Sequence, residues 1–348
     1  MRHHQSITLW MASLLLIQLA GCAGPKGGVP PFTPPQGLIP LPGQFTMWTR
    51  LGLLVAVGGI GNSGFVFLPA PNLTSPTHPD ALFTLYRDLQ DPQHKYIMTA
   101  NGYSVMAPGG GGRATSDAIT IDLKGLPYGQ YLSWAKFTFG KVHILDGDIL
   151  GTSTIQTSNG NYVTVVGGRD AFHTDATTAR EWEYFTVTKC GDLGSGWTYG
   201  LYNVGALTFT APGGGGRTQG AIIGGPSPGA ILSPPFNLNE ERFTLIRQAD
   251  GTYALRTSNG VNYVTAVGGG GHGVSADSTF HTDATQVQAW EKFTILDQGN
   301  CSYTIQTANG SFVGSSAKAG LNSFSVATNL NPSDPGSLVF WRLYMFDL

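Results

Sequence analysis

The residues best suited to chemistry lie in two copies of one polar motif. Phe-His-Thr-Asp-Ala-Thr occupies 172–177 and again 280–285. His173 and Asp175 are two residues apart, as are His281 and Asp283, so in a strand each pair faces one side. An imidazole beside a carboxylate can hydrogen-bond a sugar hydroxyl or supply two metal ligands. A zinc site needs three or four ligands, and nothing nearby completes one, so no metal is expected. The plainer role is structural, with Asp capping a turn and His standing exposed on a duplicated strand. Tyr103, Tyr162, Tyr263 and Phe312 each follow an Asn-Gly dipeptide closely. An aromatic ring there can stack on a sugar face or pack across its own strand pair. The candidate ligand-binding set is therefore Tyr162, His173, Asp175, Tyr263, His281 and Asp283.

Other chemistries find no support. The glycine runs GGGGR and GGGGHG lack the Lys-Ser/Thr of a phosphate loop and open no βαβ unit. H-E-x-x-H and a Cys-His setting are both missing. Glu181, Glu183 and Glu291 belong to Trp-Glu-x-Phe segments read as strands, and no spacing argues for a glycosidase carboxylate pair. No catalytic residue and no cofactor are expected, and the chain is read as a non-enzyme. Lys plus Arg number 19 against 21 Asp plus Glu, a net charge of −2. That balance offers nothing to hold a phosphate backbone, so nucleic acid is not an expected partner.

The elements that must position these residues are short strands. The chain has 348 residues with 49 Gly, 21 Pro and only 11% charged side chains. Interior glycine costs a helix about 1 kcal/mol relative to Ala, whereas tight turns welcome it. A strand ending recurs at Phe83, Phe137, Phe185, Phe243, Phe293 and Tyr344, spaced 54, 48, 58, 50 and 51 residues apart. Each alternates apolar and variable residues, as a half-buried strand does. Trp134, Trp182, Trp290 and Trp341 stand three residues ahead of four of them and are expected to fill the caps of the folded units. Asn-Gly turns at 101–102, 159–160, 259–260 and 309–310 open four of the repeats as hairpins. Weaker turns at Arg50-Leu51-Gly52 and Asn203-Val204-Gly205 open the other two. A glycine loop, a third segment and the closing strand follow, giving about four strands per repeat. The six repeats divide into two sets of three. One observation cuts across that division: APGGGGR and HTDAT recur at an offset of two repeats, at 107–113 and 211–217 and at 173–177 and 281–285.

Three four-stranded units of this length resemble a β-trefoil. The stretches YVTAVGGGG (263–271) and WEKFTI (290–295) resemble the fascin-like branch of that fold. The resemblance covers 44–348 in outline, and the repeats at 142–189 and 249–297 carry it best. It implies an all-β chain of two tandem β-trefoils, at 44–189 and 190–348. Four-stranded units also build propellers, the alternative architecture. Fascin bundles actin, and from that role only scaffolding is carried over.

Ahead of the repeats, residues 1–22 read as an export signal. A basic start is followed by an apolar run from Leu9 to Gly21, too short to span a bilayer. It ends in Leu19-Ala20-Gly21-Cys22, which resembles a bacterial lipobox and implies that Cys22 is acylated. Residues 23–43 hold seven prolines and five glycines and read as a tether. Ala23, not Asp, follows the cysteine, which resembles outer-membrane sorting. That leaves Cys190 and Cys301 in an oxidising compartment, able to form a disulfide or to remain as two buried thiols. The expectation is a lipid-anchored protein of the bacterial cell envelope whose only membrane contact is its anchor. Its expected role is to bind a glycan without catalysis. The alternatives are a scaffold that binds an envelope or extracellular protein and, less favoured, a polysaccharide hydrolase.

Overall fold

The computed structural model describes residues 37–346 except 50, 52, 59–60, 63, 69–78, 126, 128–130, 141–143, 146–147, 150–152, 169, 204–206, 220, 227–238, 273–278, 300, 317–325 and 334–336. The export signal, Cys22 and residues 23–36 of the tether lie outside the described residues.

Each repeat supplies four strands. In the first set they are β1 (Gln44–Thr49), β2 (Leu54–Val57), β3 (Phe65–Leu68), β4 (Phe83–Asp88), β5 (His94–Thr99), β6 (Tyr103–Met106), β7 (Thr120–Lys124), β8 (Phe137–Gly140), β9 (Ser153–Thr157), β10 (Tyr162–Val165), β11 (Phe172–Ala176) and β12 (Tyr184–Cys190). In the second set they are β13 (Trp197–Asn203), β14 (Leu207–Thr210), β15 (Ile223–Pro226), β16 (Phe243–Arg247), β17 (Tyr253–Arg256), β18 (Tyr263–Ala266), β19 (Phe280–Ala284), β20 (Thr294–Asp297), β21 (Tyr303–Gln306), β22 (Phe312–Ser316), β23 (Val326–Leu330) and β24 (Phe340–Met345).

The outer strands of each repeat close a barrel. In the first set β1 pairs with β4, β4 with β5, β5 with β8, β8 with β9, β9 with β12, and β12 returns to β1. The second set closes identically through β13, β16, β17, β20, β21 and β24, with Tyr253↔Phe293 as the β17–β20 bridge. The inner strands form the hairpins β2–β3, β6–β7, β10–β11, β14–β15, β18–β19 and β22–β23, three to a barrel. Two six-stranded barrels, each with three hairpins, are tandem β-trefoils. Closure leaves no free edge in either barrel.

The recurrent aromatic of the closing strand explains why the barrels form. Phe83, Phe137 and Phe185 line the first barrel with Phe45, and Phe243 and Phe293 line the second with Tyr199; all are at most 1% exposed. Trp341 corrects one expectation. It lies inside β24, fully buried and 5.7 Å from the Phe209 ring. It occupies the barrel position that Phe185 holds in β12, since Tyr303 pairs with Trp341 as Ser153 pairs with Phe185. A cavity of about 20 Å³ in the first barrel is lined by Phe185, Phe172, Phe65, Met47 and other apolar side chains.

The tether is shorter than expected. Leu38–Pro40 runs antiparallel to Tyr86–Asp88, and Leu41 is buried at 3% exposure. Proline is tolerated on such an edge strand, so the trefoil captures residues that composition alone assigns to a spacer.

The segment between the barrels is held from both sides. Cys190 and Cys301 form a disulfide with Cα atoms 4.3 Å apart. The Tyr303 hydroxyl donates to the Gly191 carbonyl and the Tyr199 hydroxyl to that of Leu193. Across the junction, Thr188 of β12 pairs with Tyr344 of β24, and the Arg342 guanidinium lies 4.8 Å from the Trp48 ring centre.

Candidate functional site

The Thr-x-Asn-Gly turns build the hairpins that carry the candidate residues. In the turn before β10 the Gly160 amide donates to the Thr157 carbonyl, and Asn159 Oδ1 accepts from Thr157 Oγ1 at 2.7 Å. The same closure recurs at Thr257–Gly260 and Thr307–Gly310. A bulge in each following hairpin sets the outward face. Tyr162 pairs with Ala176 and Thr164 with His173, whereas Tyr263 pairs with Ala284 and Thr265 with His281.

Both His–Asp pairs face solvent as their spacing requires. Nδ1 of His173 lies 3.9 Å from Oδ1 of Asp175, with the side chains 26% and 49% exposed. Nδ1 of His281 lies 3.9 Å from Oδ1 of Asp283, at 33% and 50% exposed. At that separation the two groups are neighbours without a hydrogen bond between them, so both keep free valences for a ligand. Tyr162 and Tyr263 are half-buried at the start of the same hairpins. The motifs belong to different barrels and form two candidate sites, one on β10–β11 and one on β18–β19. Among the described residues, no three His, Cys, Asp or Glu side chains gather to hold a metal.

The threonine between each His and Asp ties the motif to the glycine loop of the preceding repeat. The Gly112 amide donates to the Thr174 carbonyl and the Thr174 amide to that of Arg113. Gly216, Thr282 and Arg217 repeat the exchange, as do Gly271, Thr328 and His272. Gly109 to Gly112 all hold φ between 73° and 103°, a run only glycine adopts freely. APGGGGR and HTDAT are thus the two halves of one contact between successive repeats. The two motifs therefore meet wherever both occur, at Gly112–Thr174 and at Gly216–Thr282.

The Trp-Glu-x-Phe segments differ from the strands expected of them. Glu181–Glu183 and Ala289–Glu291 are single 3-10 turns ahead of the closing strand. Glu183 accepts from Thr164 Oγ1 at 2.7 Å and from the Arg180 amide at 2.6 Å. Glu291 accepts from Thr265 Oγ1 at 2.7 Å and from the Gln288 amide at 2.8 Å. Both carboxylates are buried and committed, one oxygen to the hairpin and one to the turn, and hold the outward face in place. Glutamate three residues after the start of a turn is the readable signal for such a cap.

Trp290 departs from the cap-filling role expected of it and is 49% exposed. Lys189 was not legible as special. It is 1% exposed, its Nζ sits 4.4 Å from the Phe45 ring centre, and burial pushes its pKa down to about 7.

The barrels and their hairpins define the chain as a tandem β-trefoil protein. No family model matches it, and no curated protein does. Among solved structures it is similar to a mosquitocidal holotoxin, at 9% identity and a TM-score of 0.33, covering 86% of this chain and 33% of that one. It therefore spans about a third of that toxin chain. It is also similar to ThreeFoil, a designed 3-fold symmetric protein, at 14% identity and a TM-score of 0.34, covering 43% of this chain and 99% of that one. A third likeness is to the Haemophilus ducreyi cytolethal distending toxin, at 15% identity and a TM-score of 0.33, covering 43% and 84%. Likenesses this distant carry no argument about function, and the fold description stands on the closed barrels themselves.

Proposed function

We propose that this chain is a non-catalytic, carbohydrate-binding protein of the fascin-like β-trefoil type, anchored through a lipid on Cys22 to the bacterial cell envelope. The observation that carries the binding reading is the repeated pair on a bulged hairpin. An imidazole and a carboxylate stand 3.9 Å apart, half-exposed, on a hairpin that opens with a tyrosine, in both barrels. Such groups suit hydroxyls that both donate and accept. The low charge of the chain suits a neutral ligand. The anchor and the outer-membrane address rest on Leu19-Ala20-Gly21-Cys22 and Ala23.

The test is binding of the full chain to soluble and insoluble polysaccharides, comparing wild type with His281→Ala and Asp283→Ala. Loss of binding at unchanged stability supports a site at that pair. Unchanged binding removes the pair from the site. Flat responses across the panel, from a folded protein, favour a scaffold that meets an envelope protein.

A further inference from the structure

We propose that Trp290 is the stacking platform for a neutral pyranose ring and that the second barrel is the one that binds. This rests on the carbohydrate reading and deepens it. The two 3-10 turns are equivalent in sequence and in hydrogen bonding, but their tryptophans fare differently. In the first barrel Gly168 is the floor beneath Trp182. A Cβ placed there would lie 2.6 Å from Trp182 Cζ3 and 2.7 Å from Leu51 Cδ1, so Leu51 shares that floor with the indole. Trp182 is half-buried as a result. In the second barrel Gly269 is the floor. A Cβ there would lie 3.6 Å from Trp290 Cδ1 and 3.9 Å from the Cβ of Ala308. Only the methyl group of Ala308 stands beside that floor, and the indole remains 49% exposed.

The surroundings select the ligand. Gly268, Ala308 and Asn309 are exposed beside the indole, and His272 Nε2 lies 3.2 Å from where a side chain on Gly268 would begin. Among these residues only His272 can carry charge. The small, exposed Gly268 and Ala308 let a flat ring approach the indole, and the rim offers an amide and an imidazole to its hydroxyls. A pyranose has one apolar C–H face and polar edges, so it matches both. A phosphorylated or acidic ligand would find no fixed cation there.

The experiment uses the full chain with insoluble chitin and cellulose and with soluble xylan, mannan and β-glucan. Binding is read by depletion and by tryptophan emission. Trp290→Ala is expected to weaken the bound polysaccharide about tenfold, the worth of one stacked ring. Ala308→Leu, which sets a larger apolar group beside the indole, should do the same with stability intact. Leu51→Ala should uncover Trp182 and raise the stoichiometry. Wild-type binding that survives both Trp290→Ala and Ala308→Leu but is lost in His281→Ala overturns the Trp290 platform and leaves the carbohydrate reading standing. No binding by wild type to any polysaccharide overturns both.

Discussion

Removing the Cys190–Cys301 disulfide should destabilise the second barrel more than any other single covalent change. The bond closes a loop with a sequence separation of 111 residues. Closing a loop that long removes about 16 cal/mol/K of unfolded-chain entropy, or about 4.8 kcal/mol at room temperature. That loop spans repeats four and five, so nearly the whole effect falls on the second barrel. Cys301 adds a backbone strain that alanine would keep and glycine would relieve. Its φ is +57°, the left-handed region that a side chain enters at a cost of about 1 kcal/mol. The double variant Cys190→Ala, Cys301→Ala should therefore lose about 3–5 kcal/mol in urea unfolding followed by tryptophan emission. Cys190→Ala with Cys301→Gly should recover about 1 kcal/mol of that loss, because glycine holds the same φ freely. Dithiothreitol should bring wild type to the level of the alanine double variant. Wild type and variant unfolding within about 1 kcal/mol of each other would refute the loop reasoning, as would two titratable thiols in the native protein.

Two further outcomes follow from buried charges. Lys189 has a folded-state pKa near 7, well below that of an exposed lysine, because burial disfavours its charged form. Between about pH 7 and pH 10 the unfolded chain holds a proton there that the folded chain has shed, so stability rises with pH across that window. Below about pH 7 the penalty for charging is present in full. Lys189→Met should be more stable than wild type at pH 6 and should flatten the rise, read as unfolding midpoints from pH 6 to 10. An unchanged slope would assign the dependence to other groups. Separately, Glu291→Ala should cost about 1–3 kcal/mol, since it strips an acceptor from both Thr265 and the Gln288 amide. A thermal melt reads the loss, and a neutral effect would show that water replaces the carboxylate.

The local pieces were legible because they depend on a few neighbouring residues. Asn-Gly with a threonine two positions earlier closes a turn on its own hydrogen bonds, and Phe-Thr-Leu alternation marks a strand with one wet face. The His–Asp pairs share a face simply because side chains alternate along a strand. Six closing strands and four Asn-Gly turns suffice for an all-β chain in two sets of three, with the candidate ligand residues on hairpins.

What the sequence alone could not decide depends on distant partners. Trp341 and Trp290 hold the same place relative to the closing aromatic, yet one fills a barrel and the other faces solvent. The difference lies in Tyr303 and Phe209 around the first, and in Ala308 beside the second. The pairing of Cys190 with Cys301 needs the β20–β21 turn brought beside the end of β12. Leu38–Pro40 joins the fold because Tyr86–Asp88 of β4 run on past the strand's pairing with β1. That APGGGGR and HTDAT touch is visible only in the fold, where each glycine run meets the next repeat. Residue types and spacing set turns, strands and faces, because those are short-range. Which tryptophan stays exposed, which lysine is buried and which cysteines meet were decided by barrel closure, which brings together side chains tens of residues apart.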